Sequence, residues 1–168
     1  MLDTDIAYIA GLFDGEAYIG IKRSKAYKCT GRKNPGYHAR IQIRMVDEDA
    51  IKFIAENLGG WYFKETPHTK NGRPLFCYQA SEQRAENILK TVLPYLRVKK
   101  RVAETVLQLR ELQKQSAQYR TKITGYRNFP NQYGTVRKVP NLSYTDEYIE
   151  MCNALYERCK ELNKVGTS

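Results

Sequence analysis

The chain has 168 residues, 42% of them hydrophobic, and carries 28 Lys and Arg against 18 Asp and Glu, a net charge of +10. That length and apolar share fit one domain with a sizeable core and exclude an intrinsically disordered chain, while the excess of positive charge points to a polyanionic partner, usually nucleic acid. No apolar run reaches the length of a membrane span, and the four cysteines show neither CxxC spacing nor a paired His motif, which argues against a membrane partner, a zinc module or a disulfide framework and suits a reducing interior.

Met1-Leu2-Asp3 leads straight into a predicted helix from about Asp3 to Asp14 with no signal-peptide pattern, so the expectation is an intracellular protein. Ile6, Ile9, Ala10 and Phe13 follow helical apolar spacing, and Thr4 is a candidate cap. Ala7, Gly11 and Gly15 form a second stripe of minimal side chains at intervals of four. Glycine inside a helix costs roughly 1 kcal/mol against alanine, so two on one stripe suggest close approach of another helix. The same spacing suits a core helix ended by a Gly15 cap. Asp14 and Glu16 then fall at the negative end of the helix dipole, where carboxylates are disfavoured unless a cation or a donor compensates them. A divalent metal ion is one such compensator.

Ala17 to Cys29 and Gly36 to Met45 read as two strands around a breaker-rich turn, Thr30 to Gly36. In the second, Ile41, Ile43 and Met45 point one way and His38, Arg40, Gln42 and Arg44 the other. In the first, Ile19 and Ile21 are expected in the core, with Gly20, Lys22, Ser24 and Lys28 outward. Asp47 to Leu58 is a covering helix, followed by short strands Trp61 to Thr66 and Arg73 to Ala80 around a Lys70-Asn71-Gly72 turn. Tyr62, Lys64, Arg73 and Gln79 are expected on the open face, and His68 is a turn residue without a sequence partner. Arg84 to Leu93 reads as a helix broken by Pro94, and Val98, Val102, Thr105, Val106, Leu109 and Leu112 carry another. A closing helix from Ser143 to Asn163 places Cys152 and Cys159 on one face, as core residues. The connection from Ala117 to Leu142 lacks clear periodicity and mixes Tyr119, Tyr126, Phe129 and Tyr133 with cations and amides. It is expected to order on a phosphate backbone or to pack on the domain's own helices.

Charge is segregated along the chain. Between Ala17 and Val46 lie eight basic residues, Lys22, Arg23, Lys25, Lys28, Arg32, Lys33, Arg40 and Arg44, and no acid. Between Leu112 and Thr145 lie Lys114, Arg120, Lys122, Arg127, Arg137 and Lys138, again with no acid. The remaining residues hold 14 basic and 18 acidic side chains, so the whole positive excess sits in two segments. A solvated charged face mixes signs; these segments read as polyanion contacts.

The run Ile9-Ala10-Gly11-Leu12-Phe13-Asp14-Gly15-Glu16-Ala17 resembles the motif of the LAGLIDADG homing endonucleases, in the single-motif branch that works as a homodimer. Ile9 replaces the family's leucine, Glu16 its usual aspartate and Ala17 its final glycine, and the metal-binding carboxylate survives. The element order over about Asp3 to Gln115 also resembles the family core. The resemblance implies an α+β fold with an αββαββα core and a curved antiparallel DNA-binding sheet, one domain over residues 1–168, extended by a basic aromatic loop (about 117–142) and a C-terminal helix (about 143–163). It implies intron mobility as the biological setting, in the cytoplasm or nucleoid of a prokaryote or in an organelle matrix.

It further implies a site-specific double-strand DNA endonuclease that cuts across the minor groove of a long pseudo-palindromic site and leaves 3′ overhangs. Glu16 would bind Mg2+, with the Gly15 carbonyl and, more weakly, Asp14 as further candidates. Mn2+ or Ca2+ would bind there too, Ca2+ without supporting cleavage. Leu96-Arg97-Val98-Lys99 resembles the segment that supplies an active-site lysine, which makes Lys99 catalytic by resemblance; its alternative is a solvated lysine. A polar residue at the end of the second strand completes the family's pocket, and Met45 falls nearest that position, so Gln42 or Arg44 would substitute. DNA contacts are assigned to Lys22, Ser24, Lys28, Arg32, Lys33, His38, Arg40, Gln42, Arg44, Tyr62, Lys64, Arg73, Gln79, Arg127, Arg137 and Lys138, and the dimer contact to Ala7, Gly11 and Gly15. No second copy of the motif appears in the chain, which is why a homodimer is expected. Two rival readings share the fold: an RNA-binding splicing cofactor for a host intron, and a catalytically inert DNA-binding regulator.

Overall fold

The computed structural model describes residues 2–25, 34–66, 72–121, 125–130, 136–140 and 143–165. Expectations for Lys28, Arg32 and Lys33, for Cys29, His68, Lys122 and Tyr133, and for the turns at 30–33 and 70–71 lie outside the described residues.

Helix α1 spans Asp3–Glu16 and buries Ile9, Ala10 and Phe13, the predicted apolar stripe. Its first turn is closed by the Asp5 carboxylate, which accepts from the Leu2 N–H at 2.9 Å, rather than by Thr4. Strands β1 (Tyr18–Ser24) and β2 (Gly36–Met45) follow as an antiparallel pair. Helix α2 (Glu48–Leu58) is capped by Asp47, whose side chain accepts from the Ala50 N–H at 3.1 Å. It ends at Gly59 and Gly60, both at positive φ, where a residue with a Cβ would be strained.

Strands β3 (Tyr62–Glu65) and β4 (Leu75–Ser81) complete an antiparallel four-stranded sheet in the order β1-β2-β4-β3. Helices α3 (Glu82–Val92) and α4 (Lys100–Lys114) flank the Pro94 break. Val98, expected among the apolar residues of α4, precedes that helix and is exposed, because the turn after Pro94 extends through Lys99.

The inward face of the sheet carries Ile19, Ile21, Tyr37, Ala39, Ile41, Ile43, Phe76, Tyr78 and Ala80, all buried with the apolar sides of the helices. The molecule is therefore α+β, with helices covering one side of an open antiparallel sheet. Side-chain alternation in β2 is as expected. Gly20 departs from expectation: it is buried, because the Tyr18 ring folds over it so closely that a Cβ there would collide with the Tyr18 hydroxyl.

After α4 comes a 3-10 turn, Ser116–Tyr119, then a bridge between Arg120 and Tyr144. Where the sequence showed no periodicity, the chain forms a separate antiparallel hairpin, β5 (Tyr126–Pro130) paired with β6 (Val136–Pro140). A Pro at the end of each strand and short polar-apolar alternation hid that signal. Helix α5 (Asp146–Val165) packs on α4 and on edge strand β1, and buries Cys152 and Cys159 as expected. Asn163 donates to the Ile19 carbonyl at 3.0 Å, so α5 occupies hydrogen-bonding capacity that an edge strand otherwise leaves open.

Candidate active site and nucleic-acid interface

The end of α1 meets the start of α4, and the two helices exchange caps. The Asp14 carboxylate accepts from three backbone N–H groups ahead of α4: Arg97 at 2.7 Å, Val98 at 3.2 Å and Lys99 at 2.8 Å. In return the Lys99 ammonium donates to two carbonyls at the end of α1, Phe13 at 2.9 Å and Ala17 at 2.7 Å. Each charged group sits at the helix end whose dipole favours it, an anion at an N-terminus and a cation at a C-terminus. The misplaced charge in the sequence is thus compensated for Asp14 by backbone donors. Lys99 is half-buried and held, not a freely solvated side chain. Burial lowers its pKa from the ordinary value, while Asp14 and Glu16 pull it back up.

Glu16 is treated differently. It is the last residue of α1 and exposed, and its carboxylate makes no hydrogen bond or ion pair among the described residues, although the Lys99 charge acts on it at longer range. A bare carboxylate beside a fixed ammonium can receive a hard cation without first breaking a contact. Among the described residues no group of three His, Cys, Asp or Glu could hold an ion. Gly11 and Gly15 lie in open space, and a Cβ at either would meet nothing within 4 Å among the described residues. Ala7 on the same stripe is exposed too.

Gln42 and Arg44 stand together at the end of β2, with Gln42 opposite Tyr18 at the start of β1. With its amide oxygen turned to Arg44, Gln42 accepts from Nη2 at 3.0 Å and Nε at 3.1 Å. Arg44 also pairs with Glu65 at 3.1 Å. No hydrogen bond or ion pair among the described residues joins either side chain to Glu16 or Lys99.

Register decides the rest of the open face. Tyr18, Lys22 and Ser24 from β1, His38, Arg40, Gln42 and Arg44 from β2, and Gln79 and Ser81 from β4 lie on it. Arg40 donates to Gln79 at 2.7 Å. Tyr62 and Lys64 do not lie there: Tyr62 pairs with Tyr78 and Lys64 with Phe76, so both point to the helix side. Tyr62 donates to Glu48 of α2 at 3.1 Å, and the Lys64 ammonium lies 5.8 Å from the Phe76 ring centre. Arg73 is exposed but precedes β4. The residues missed in their place are Phe63 and Glu65, with Trp61, 61% exposed, tilted against Phe63 at 5.5 Å between ring centres. An exposed tryptophan next to a strand rich in aromatics was the available signal. On the hairpin, Lys138 and Asn128 are paired and exposed; the side chains of Arg127 and Arg137 lie outside the description.

No protein-family model matches the chain, and a search of curated proteins finds no match. Solved structures do match. The homing endonuclease I-CvuI, in complex with a DNA target that is not cleaved, superposes with a TM-score of 0.62 over 95% of this chain and 82% of its own, at 15% identity. I-Vdi141I, an archaeal intron-encoded homing endonuclease complexed with DNA, gives 0.54 over 67% and 70% at 18% identity. The LAGLIDADG homing endonuclease I-SmaMI, bound to cleaved DNA, gives 0.52 over 70% of this chain and 38% of its own, also at 18% identity. With an open antiparallel sheet, helices on one side of it and the Ile9–Ala17 motif ending its first helix, the chain has the fold of the LAGLIDADG homing endonucleases.

Proposed function

We propose that the chain is a site-specific double-strand DNA endonuclease of the homing type that works as a homodimer with a divalent metal ion. The observation that carries this reading is the pairing of a bare, exposed Glu16 with a Lys99 ammonium fixed on the end of the same helix. Glu16, with the Gly15 carbonyl and Glu16 of a second copy, would hold Mg2+, or Mn2+ or Ca2+ in its place. Like-charged carboxylates brought together in this way are unfavourable without cations. When bound, the ion lowers the pKa of water and neutralises charge building on phosphorus. Asp14 serves the site by fixing the segment that presents Lys99.

Lys99, two of whose three N–H donors are taken by the carbonyls of α1, would turn the third to a phosphate oxygen or the attacking water. Arg44 and Gln42 at the end of β2 supply a second cation and an amide. The open sheet face, with Arg40 and Gln79 at its centre and Lys22 on its edge strand, would lie in the major groove of a half-site. Ala7, Gly11 and Gly15 would pack against their copies. Among the described residues neither glycine is required by a close neighbour, which suits a helix awaiting a partner. Two subunits related by a twofold axis would then prefer a pseudo-palindromic site and cut both strands across the minor groove, leaving 3′ extensions.

The test is Glu16→Gln in a plasmid selection from randomised sites with Mg2+. Cleavage is expected to fall by at least about a thousandfold, equivalent to ~4 kcal/mol of transition-state stabilisation, with duplex binding retained. Undiminished Mg2+-dependent cutting by the variant would overturn the assignment. Gly11→Leu, read by sedimentation, is expected to give monomers that bind without cutting; a fully active monomer would remove the dimer.

A further inference from the structure

A chain of polar contacts links the open face of the sheet to the buried interior at the end opposite Arg44. His38, the imidazole among the described residues, has its Nδ1 2.6 Å from Glu82 Oε1 and its Nε2 3.3 Å from Ser24 Oγ. The second Glu82 oxygen accepts from Arg110 at 2.8 Å. Arg110, largely buried on α4, also donates to Gln113, and Gln113 donates to the Tyr37 carbonyl at 2.7 Å. Tyr37 precedes His38 on β2, so the contacts close into a ring that returns to the strand it left.

Glu82 itself is the one described residue other than glycine at positive φ, +52°. Such a conformation is unfavourable for a glutamate, and it persists where surrounding contacts over-determine it. Here both carboxylate oxygens are held. Because a carboxylate only accepts, the His38 Nδ1 facing it carries a proton, and Nε2 lies on the open face beside Ser24.

We infer that Glu82 and Arg110 are positioning residues that set His38, with Ser24, as a base-reading pair at the outer end of the proposed DNA surface. The inference rests on the duplex-DNA reading of that face. Lys22, directly opposite His38, and Arg40, two residues along β2, supply charge to phosphates of any sequence. A ring locked in one orientation presents a fixed hydrogen-bonding edge, and a fixed edge discriminates between base pairs where a swivelling one does not.

The test compares the wild-type chain with His38→Ala and Glu82→Asn. Asparagine tolerates the left-handed backbone but is one methylene too short to reach both partners, so the fold is kept while the link is cut. Each is bound to a library of randomised duplexes and sequenced. Both variants are expected to lose preference at the same base-pair position, by about tenfold each, while Lys22→Ala lowers affinity for all sequences alike. Full preference retained by Glu82→Asn would overturn the positioning role. Nitrogen-15 NMR of the free protein is the second arm: a protonated Nδ1 on His38 is expected in the wild type, and its absence would overturn the ring without reference to DNA. If that signal is present and the wild-type chain shows no duplex binding, the DNA reading fails, and the base-reading role of His38 with it.

Discussion

Two carboxylate clusters, one at the end of α1 and one between α3 and α4, show opposite uses of charge. Glu86 on α3 is fully buried and meets Lys90 at 2.7 Å, Arg110 at 3.4 Å and Lys114. These cations hold its carboxyl down at about 2, the hydrogen bonds from Lys114 and Lys90 outweighing the burial that opposes them. Every negative charge there is answered from within. At the end of α1 the same answer is given to Asp14, and Glu16 two residues on is left bare. A carboxylate satisfied inside the chain contributes to stability, whereas an unsatisfied one beside a fixed ammonium is available to something the chain does not contain.

That contrast is broken most sharply by exchanging effects. Beyond the loss of cleavage expected for Glu16→Gln, Glu86→Ala is expected to destabilise the fold by roughly 2–3 kcal/mol, since it removes a buried charged acceptor shared by Lys90, Lys114 and Arg110, while Glu111 and Glu82 still answer those cations. Chemical denaturation reads this directly, and a loss below about 1 kcal/mol would mean that the cluster contributes little. Its pH signature has a definite sign. The folded value lies below the ordinary 4.5, so the stabilisation is present above that value and lost as pH falls toward 2. The stability gap between wild type and Glu86→Gln should therefore narrow across that window; a constant gap would contradict the ion-pair account.

Asp14→Ala should cost about 1–2 kcal/mol by removing the acceptor of three N–H groups ahead of α4, two of which water can reach, and should slow cleavage only through the displaced Lys99 segment. If it matched Glu16→Gln in a stable protein, Asp14 would belong with the metal ligands. For Lys99→Met a slower enzyme with near-normal DNA affinity is expected, together with about 1–2 kcal/mol of lost stability from the uncapped carbonyls of α1. Stability loss with a wild-type rate would make Lys99 a cap alone. The smallest effect belongs to the hairpin. Arg127→Ala with Arg137→Ala and Lys138→Ala should weaken binding to all sequences alike and flatten the salt dependence by roughly 0.9 for each phosphate no longer neutralised. An unchanged slope would remove β5 and β6 from the interface.

Local pattern by itself determines much of this molecule. The apolar and small-residue stripes of α1 are properties of helical spacing, and the alternation in β2 follows from a period of two over ten residues, long enough to be unambiguous. Segregation of the basic residues is likewise a matter of order along the chain. β3 has only four residues, with aromatic or charged side chains on both faces, so its parity came from pairing with β4, and Trp61 and Phe63 took the face expected for Tyr62 and Lys64. The fate of Asp14 depended on amides more than eighty positions away, and the His38 orientation on Glu82 and Arg110 from two other helices. Periodicity acts between neighbours and is written in the sequence. Which acceptor meets which donor is decided by the packing of distant elements, and there only the tertiary structure could choose.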